Sequence, residues 1–223
     1  MSDKGEGLVF NKGRLETLTD GIFAVIMTIL VFNVSVPELI LYAEGELTSG
    51  ELTSGRLLER LMELWPDVLA YVVSFVTLSV YWLAHHRIFR WIVDVDRRLI
   101  WINISLLITI GLIPFSTGLL AQYRDQQISA LIYSFNSILA GAIIYFLYLY
   151  TKWHPVLVDK TVNTVIRSRS GRRVLITILT YSVAILTSFT YLPVSLFLFL
   201  LVLIPEFFPD RYFGKDKQFQ SDG

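Results

Sequence analysis

Cysteine is absent from this 223-residue chain. That excludes disulfides, thiolate metal sites and cysteine nucleophiles. Charge is scarce: 17% of the residues are Asp, Glu, Lys or Arg, against about a quarter in an ordinary soluble domain. The formal net charge is zero, so the electrostatic footprint of a nucleic-acid binder is missing and no nucleic-acid partner is expected. Metal-ligating groups are thinly spread. The adjacent pair His85-His86 would point about 100° apart on a helix, and no carboxylate or third histidine completes a site in the sequence around it, so no metal is expected. The stretch from Met1 to Gly13 is polar and mixed in charge. It lacks the basic start, apolar core and small-residue cleavage site of a signal peptide, so the first span is expected to stay in the mature protein.

Hydrophobic residues make up 54% of the chain, and the charges cluster so that long apolar runs lie between them. Several runs approach or exceed the roughly 18 residues that mark a bilayer span. The expected fold is all-α: a polytopic protein with six transmembrane helices. The spans are read as about Leu15 to Val36, ending at Pro37, then Trp65 to Trp91, Leu99 to Ala121, Ile128 to Tyr150, Val174 to Leu192, and Pro193 to Phe208. Pro66 suits the first turn of the second. The last two meet at Tyr191-Leu192-Pro193, where proline breaks the helical ladder; this reads as a very tight turn, with a single kinked re-entrant element as the alternative.

Basic residues set the orientation. Lys4, Lys12 and Arg14 flank the first span. Arg87, Arg90, Arg97 and Arg98 join the second to the third. Lys152, Lys160, Arg167, Arg169, Arg172 and Arg173 join the fourth to the fifth, and Arg211, Lys215 and Lys217 follow the sixth. The opposite side holds only Arg56, Arg60 and Arg124. The positive-inside rule then places both termini in the cytoplasm, which requires an even number of spans. The expected segments are a cytoplasmic N-terminus over residues 1–14, a six-helix membrane unit over 15–208 and a cytoplasmic tail over 209–223. The first external loop, about Glu38 to Leu64, holds the tandem repeat Glu46-Leu47-Thr48-Ser49-Gly50 and Glu51-Leu52-Thr53-Ser54-Gly55, read as slippage in a tolerant loop.

Polar groups inside a span are costly, and they are functional candidates by default. Arg14 and Glu16 can snorkel to the interface, but Asp20 lies deeper, ahead of an unbroken apolar stretch. It is either a helix N-terminal charge favoured by the macrodipole or part of a buried polar network. Trp82, His85 and His86 lie at the same cytoplasmic end of the second span, and Asn103 near the start of the third. An Asp20–Trp82–His85–Asn103 network follows because buried donors and acceptors must be paired; plain interfacial histidines are the alternative. Along the first helix, Gly21, Ala24 and Thr28 form a stripe of small residues, which permits close backbone approach in lipid. Beside it, Val25, Ile29 and Phe32 fall within an arc of about 60°. Periodicity alone leaves that arc facing lipid, a neighbouring helix or a pore.

These residues resemble a known family. Arg14-x-x-x-Leu18-Thr19-Asp20-Gly21-Ile22-Phe23-Ala24 is similar to the first-helix signature, Arg-x-x-x-Phe-Ser-Asp, of the transmembrane protein 175 family of potassium channels, with Leu18 and Thr19 as the departures. The likeness continues through Trp82-Leu83-Ala84-His85-His86, through Asn103, and through Leu112-Ile113-Pro114-Phe115-Ser116-Thr117. It implies a potassium-selective channel, not an enzyme, with no cofactor beyond the permeant ion. The pore would be lined by the first helices of a homotetramer, as in prokaryotic single-repeat members, in a prokaryotic cell membrane. The resemblance assigns the apolar constriction, a hydrophobic gate, to Val25, Ile29 and Phe32. Thr28 takes a position tied to potassium preference, and Arg14, Thr19, Asp20, Trp82, His85 and Asn103 take the structural polar network. The carbonyl-loop filter sequence Thr-Val-Gly-Tyr-Gly is absent from the chain, as the resemblance requires. A secondary transporter is the alternative; it would show paired broken helices, and Pro114 is one possible break without a counterpart.

Overall fold

The first apolar run forms helix α1, Lys12–Ile29, in a computed structural model that describes residues 11–35, 54–123 and 125–160 and isolated positions between 172 and 183. Asn11 caps it by accepting from the Gly13 N–H at 2.8 Å, satisfying a donor that the helix leaves open. A 3-10 turn over Leu30–Asn33 extends the rod to 22 residues. Helix α2, Ser54–Glu63, lies inside what the sequence reads as an external loop. The long helix α3, Trp65–Phe89, starts with Pro66 in its first turn, where a missing N–H costs nothing. Its 25 residues span about 37 Å at 1.5 Å per residue, enough for the hydrocarbon core.

The third apolar run is two helices, α4 (Arg97–Gly111) and α5 (Ile113–Gln122). Pro114 has no N–H to give to the α4 carbonyls, so the ladder is interrupted at Leu112. Asp96 caps α4 by accepting from the Leu99 N–H at 2.8 Å and also receives the Tyr150 hydroxyl. Helix α6, Gln127–Trp153, is the longest among the described residues at 27 residues. Beyond it a 3-10 turn over Pro155–Leu157 returns the chain to the end of α3, where Val93 N–H donates to the Leu157 carbonyl at 2.9 Å and Asp159 N–H to that of Trp91 at 2.9 Å.

Helices α4 and α5 pack along α6, α3 lies against α5 and α6, and α1 sits at the margin against α3 and α4. The shared core is built around Phe23, Leu30, Leu78, Phe89, Leu106 and Tyr133, all buried. Four rods (Lys12–Asn33, Trp65–Phe89, Arg97–Gln122 and Gln127–Trp153) are long and apolar enough to cross a bilayer. The chain is therefore an all-helical integral membrane protein. The expected fifth and sixth spans and the tail over 209–223 lie outside the described residues, as do residues 1–10 and most of the tandem repeat.

Candidate functional site

Helix α1 has two opposite faces. Thr19, Phe23, Ile26 and Leu30 are buried, and their spacing of four, three and four keeps them on one side. The other side is open in the single chain: Leu18 is 52% exposed, Val25 55%, Ile29 43% and Phe32 80%. Gly21, Ala24 and Thr28 share that open side. A Cβ added at Gly21 would meet nothing within 4 Å, so among the described residues no neighbour packs on the stripe at that point. The Thr28 hydroxyl donates to the Val25 carbonyl at 2.7 Å, which leaves its oxygen lone pairs as acceptors on the open side.

A chain of polar contacts fixes the rotation of α1. Asn103 on α4 donates from Nδ2 to Thr19 Oγ1 at 2.9 Å. Thr19 in turn donates to its own helix, to the Leu15 carbonyl at 2.9 Å. The Asn103 Oδ1 is then left as an acceptor 2.8 Å from His85 Nε2, so the proton of neutral His85 belongs on Nε2. Thr19, His85 and Asn103 are all fully buried. The His85 ring stacks on Phe89, with centroids 4.1 Å apart. Beside this line, the Trp82 indole N–H donates to Asp20 Oδ1 at 2.8 Å. The next histidine diverges: the His86 ring stacks on Trp82, and its Nδ1 lies 3.9 Å from Glu16 Oε1.

Five of the six residues expected in the polar network are thus brought together, at the crossing of α1, α3 and α4. Arg14 is not among them. It lies one turn before Leu18 on the open side of α1 and is exposed, because a step of four residues keeps it in line with Leu18 and Val25 instead of Thr19.

A second polar layer escaped the sequence reading. Ser74 on α3 donates to the Tyr133 hydroxyl at 3.2 Å and receives the Thr117 hydroxyl at 2.8 Å, while Tyr81 donates to the Ser137 carbonyl at 2.6 Å. Next to it, the Asn136 amide bridges the α4–α5 break. Oriented to satisfy both ends, it donates to the Thr109 carbonyl at 3.1 Å and accepts from the Ile113 N–H at 3.2 Å. The available signal was Pro114 alone, which announces orphaned backbone groups but not what pairs with them.

Comparison with known proteins points the same way. Residues 14–114 match the sequence model of the family described as endosomal/lysosomal potassium channel TMEM175, a match running from α1 to the start of α5. A potassium channel of Streptomyces collinus is 34% identical over 126 residues, 55% of this chain and 55% of that protein. A potassium channel of Chamaesiphon minutus is 34% identical over 136 residues, 60% of this chain and 62% of that protein. The matched stretch therefore spans little more than half the length of these two relatives. Among solved structures, the crystal structure of a lysosomal potassium-selective channel TMEM175 homolog from Chamaesiphon minutus superposes with a TM-score of 0.70 at 26% identity, covering 87% of this chain and 95% of that one. The first-helix signature and its buried partners on α3 and α4 lie within the matched stretch, and this part of the chain, together with the helical fold, resembles the TMEM175 family.

Proposed function

We propose that this chain is the subunit of a potassium-selective channel in a prokaryotic cell membrane. Four copies surround one axis, each with six spans over residues 15–208, and the cytoplasmic segments 1–14 and 209–223 leave both termini inside. The first helices stand innermost, and no carbonyl-loop filter is used. Val25, Ile29 and Phe32 form stacked apolar rings around the axis, and Thr28, one turn from Val25, offers hydroxyl oxygens between them.

The observation that carries this reading is the split character of α1. One face is pinned by Asn103, His85 and Trp82; the other, carrying all three ring candidates, is uncovered in the single chain. Closed cyclic symmetry turns one such face into a continuous lining. A narrow apolar passage holds water poorly and gates by dewetting. The similarity to proteins named potassium channels supports the choice of ion.

Reconstitution into liposomes under a potassium gradient tests the proposal. Potassium flux that runs down its own gradient, exceeds sodium flux and needs no coupling ion is expected. Flux that stops when a second ion gradient is removed would make the chain a secondary transporter, and vesicles tight to potassium would overturn the channel reading.

A further inference from the structure

Asn33 closes the 3-10 extension of α1, one residue beyond Phe32. Its amide Nδ2 donates to the Pro114 carbonyl on α5 at 3.0 Å. Its Oδ1 rests on Gly118, one turn further along α5: a Cβ added to Gly118 would lie 2.8 Å from Oδ1 and 3.5 Å from Cγ. A Cβ at position 118 would push the amide oxygen aside, and glycine leaves it in place. Glycine inside a helix is otherwise an unfavourable choice, and among the described residues the neighbour that its missing Cβ makes room for is Asn33. Apolar packing does not hold the neighbouring ring. Phe32 is 80% exposed and borders a cavity of about 700 Å³ lined also by Phe115, Asp67 and Gln122.

We propose that Asn33 is a positioning residue for the outer end of the conduction path: clasped between the Pro114 carbonyl and Gly118, its amide sets the azimuth of Phe32 in the outer ring. The inference rests on the channel reading above. It adds that the outer ring is located by a polar clasp from α5, while the inner part of α1 is located by Asn103 and Trp82. The break at Leu112–Pro114 gives this clasp its footing, because α5 is aimed independently of α4.

The absence of cysteine makes a reversible test available. In the double variant Asn33→Cys/Gly118→Cys, a disulfide replaces the clasp, and its formation is read by mass. Single-channel currents are recorded from the same membrane before and after reduction. With the bridge closed, the unitary conductance and potassium-over-sodium preference of the parent are expected; on reduction both are lost, and reoxidation restores them. A merely structural role predicts no such toggling in channels already folded and inserted. Gly118→Ala supplies the second arm: it should disturb the current in the parent background and do nothing further in the Asn33→Ala background, where no amide remains to displace. A bridged protein whose current ignores its redox state, or additive effects of the two alanine substitutions, overturns the clasp while leaving the channel reading intact. A parent chain that passes no potassium overturns both.

Discussion

At the residue scale, the centre of the site is Asn103. Its amide joins side chains from two other helices, Thr19 of α1 and His85 of α3. Asn103→Leu keeps the volume but leaves the His85 Nε2–H buried without its acceptor and removes the donor to Thr19, whose hydroxyl keeps only its own bond to the Leu15 carbonyl. An orphaned group costs roughly 1–3 kcal/mol, so a clear loss of stability is expected in detergent unfolding titrations. Asp20 separates charge from hydrogen bonding. Asp20→Ala strands the Trp82 indole N–H, whereas Asp20→Asn keeps a carbonyl oxygen for it. The alanine variant should lose assembled protein on size-exclusion chromatography, the asparagine variant should largely retain it, and ion preference in whatever assembles should change little. Equal behaviour of the two would mean that the carboxylate charge, not the acceptor, matters. Asp20, Trp82, His85 and Asn103 were legible in the sequence because polar side chains at one depth in an apolar background must find each other; Thr19 entered through the family resemblance. Arg14 lies on the open side of α1 in the single chain, an azimuth that depth does not specify: a long side chain near the interface satisfies itself in water from any face.

At the element scale, the four described spans begin and end within a few residues of where the apolar runs and their flanking charges put them. Two features were not legible. Helix α2 alternates apolar and charged residues, as in Leu58-Glu59-Arg60-Leu61-Met62-Glu63, and is too short and too polar to stand out as a span. The Ser74–Thr117–Tyr133 layer was hidden because a serine or threonine in a helix can always bond its own preceding turn; the Thr117 hydroxyl lies 2.8 Å from both the Ile113 carbonyl and Ser74 Oγ and has one proton to share between them. Asn136 gives this scale its test. Asn136→Leu removes the bridge across the α4–α5 break; the Thr109 carbonyl keeps the Leu112 N–H at 3.2 Å, while the Ile113 N–H loses the amide oxygen, for a loss of roughly 1–3 kcal/mol. Ser105→Ala is the control: that hydroxyl is exposed and bonds only the Trp101 carbonyl of its own helix. Its change should stay within about 0.5 kcal/mol. Equal losses from the two substitutions would remove any special role for the bridge.

At the scale of the whole molecule, the proposed function turns on what meets the uncovered face of α1. Periodicity places Val25, Ile29 and Phe32 on one arc, and the fold leaves that arc exposed, but a single chain does not distinguish lipid from an axis. Assembly is the first discriminator: cross-linking in mild detergent should stop at four subunits, and a ladder ending at one or two would refute the tetramer. The sharper prediction concerns the rings. Under four-fold symmetry one substitution changes a complete ring, so Val25→Asn or Ile29→Asn places four amide dipoles where only apolar groups stood. Water then fills the passage more readily. Single-channel conductance should rise, and discrimination of potassium from sodium should weaken. If the arc instead met lipid or a neighbouring helix, the buried amide would carry a desolvation cost. Expression and tetramer yield would fall, while the surviving channels conducted as before. The anchor on the opposite face sharpens this contrast, because Thr19, held by Asn103, keeps α1 from rotating to hide the new amide. Intact tetramers of both variants with parental conductance and selectivity would show that some other face lines the path.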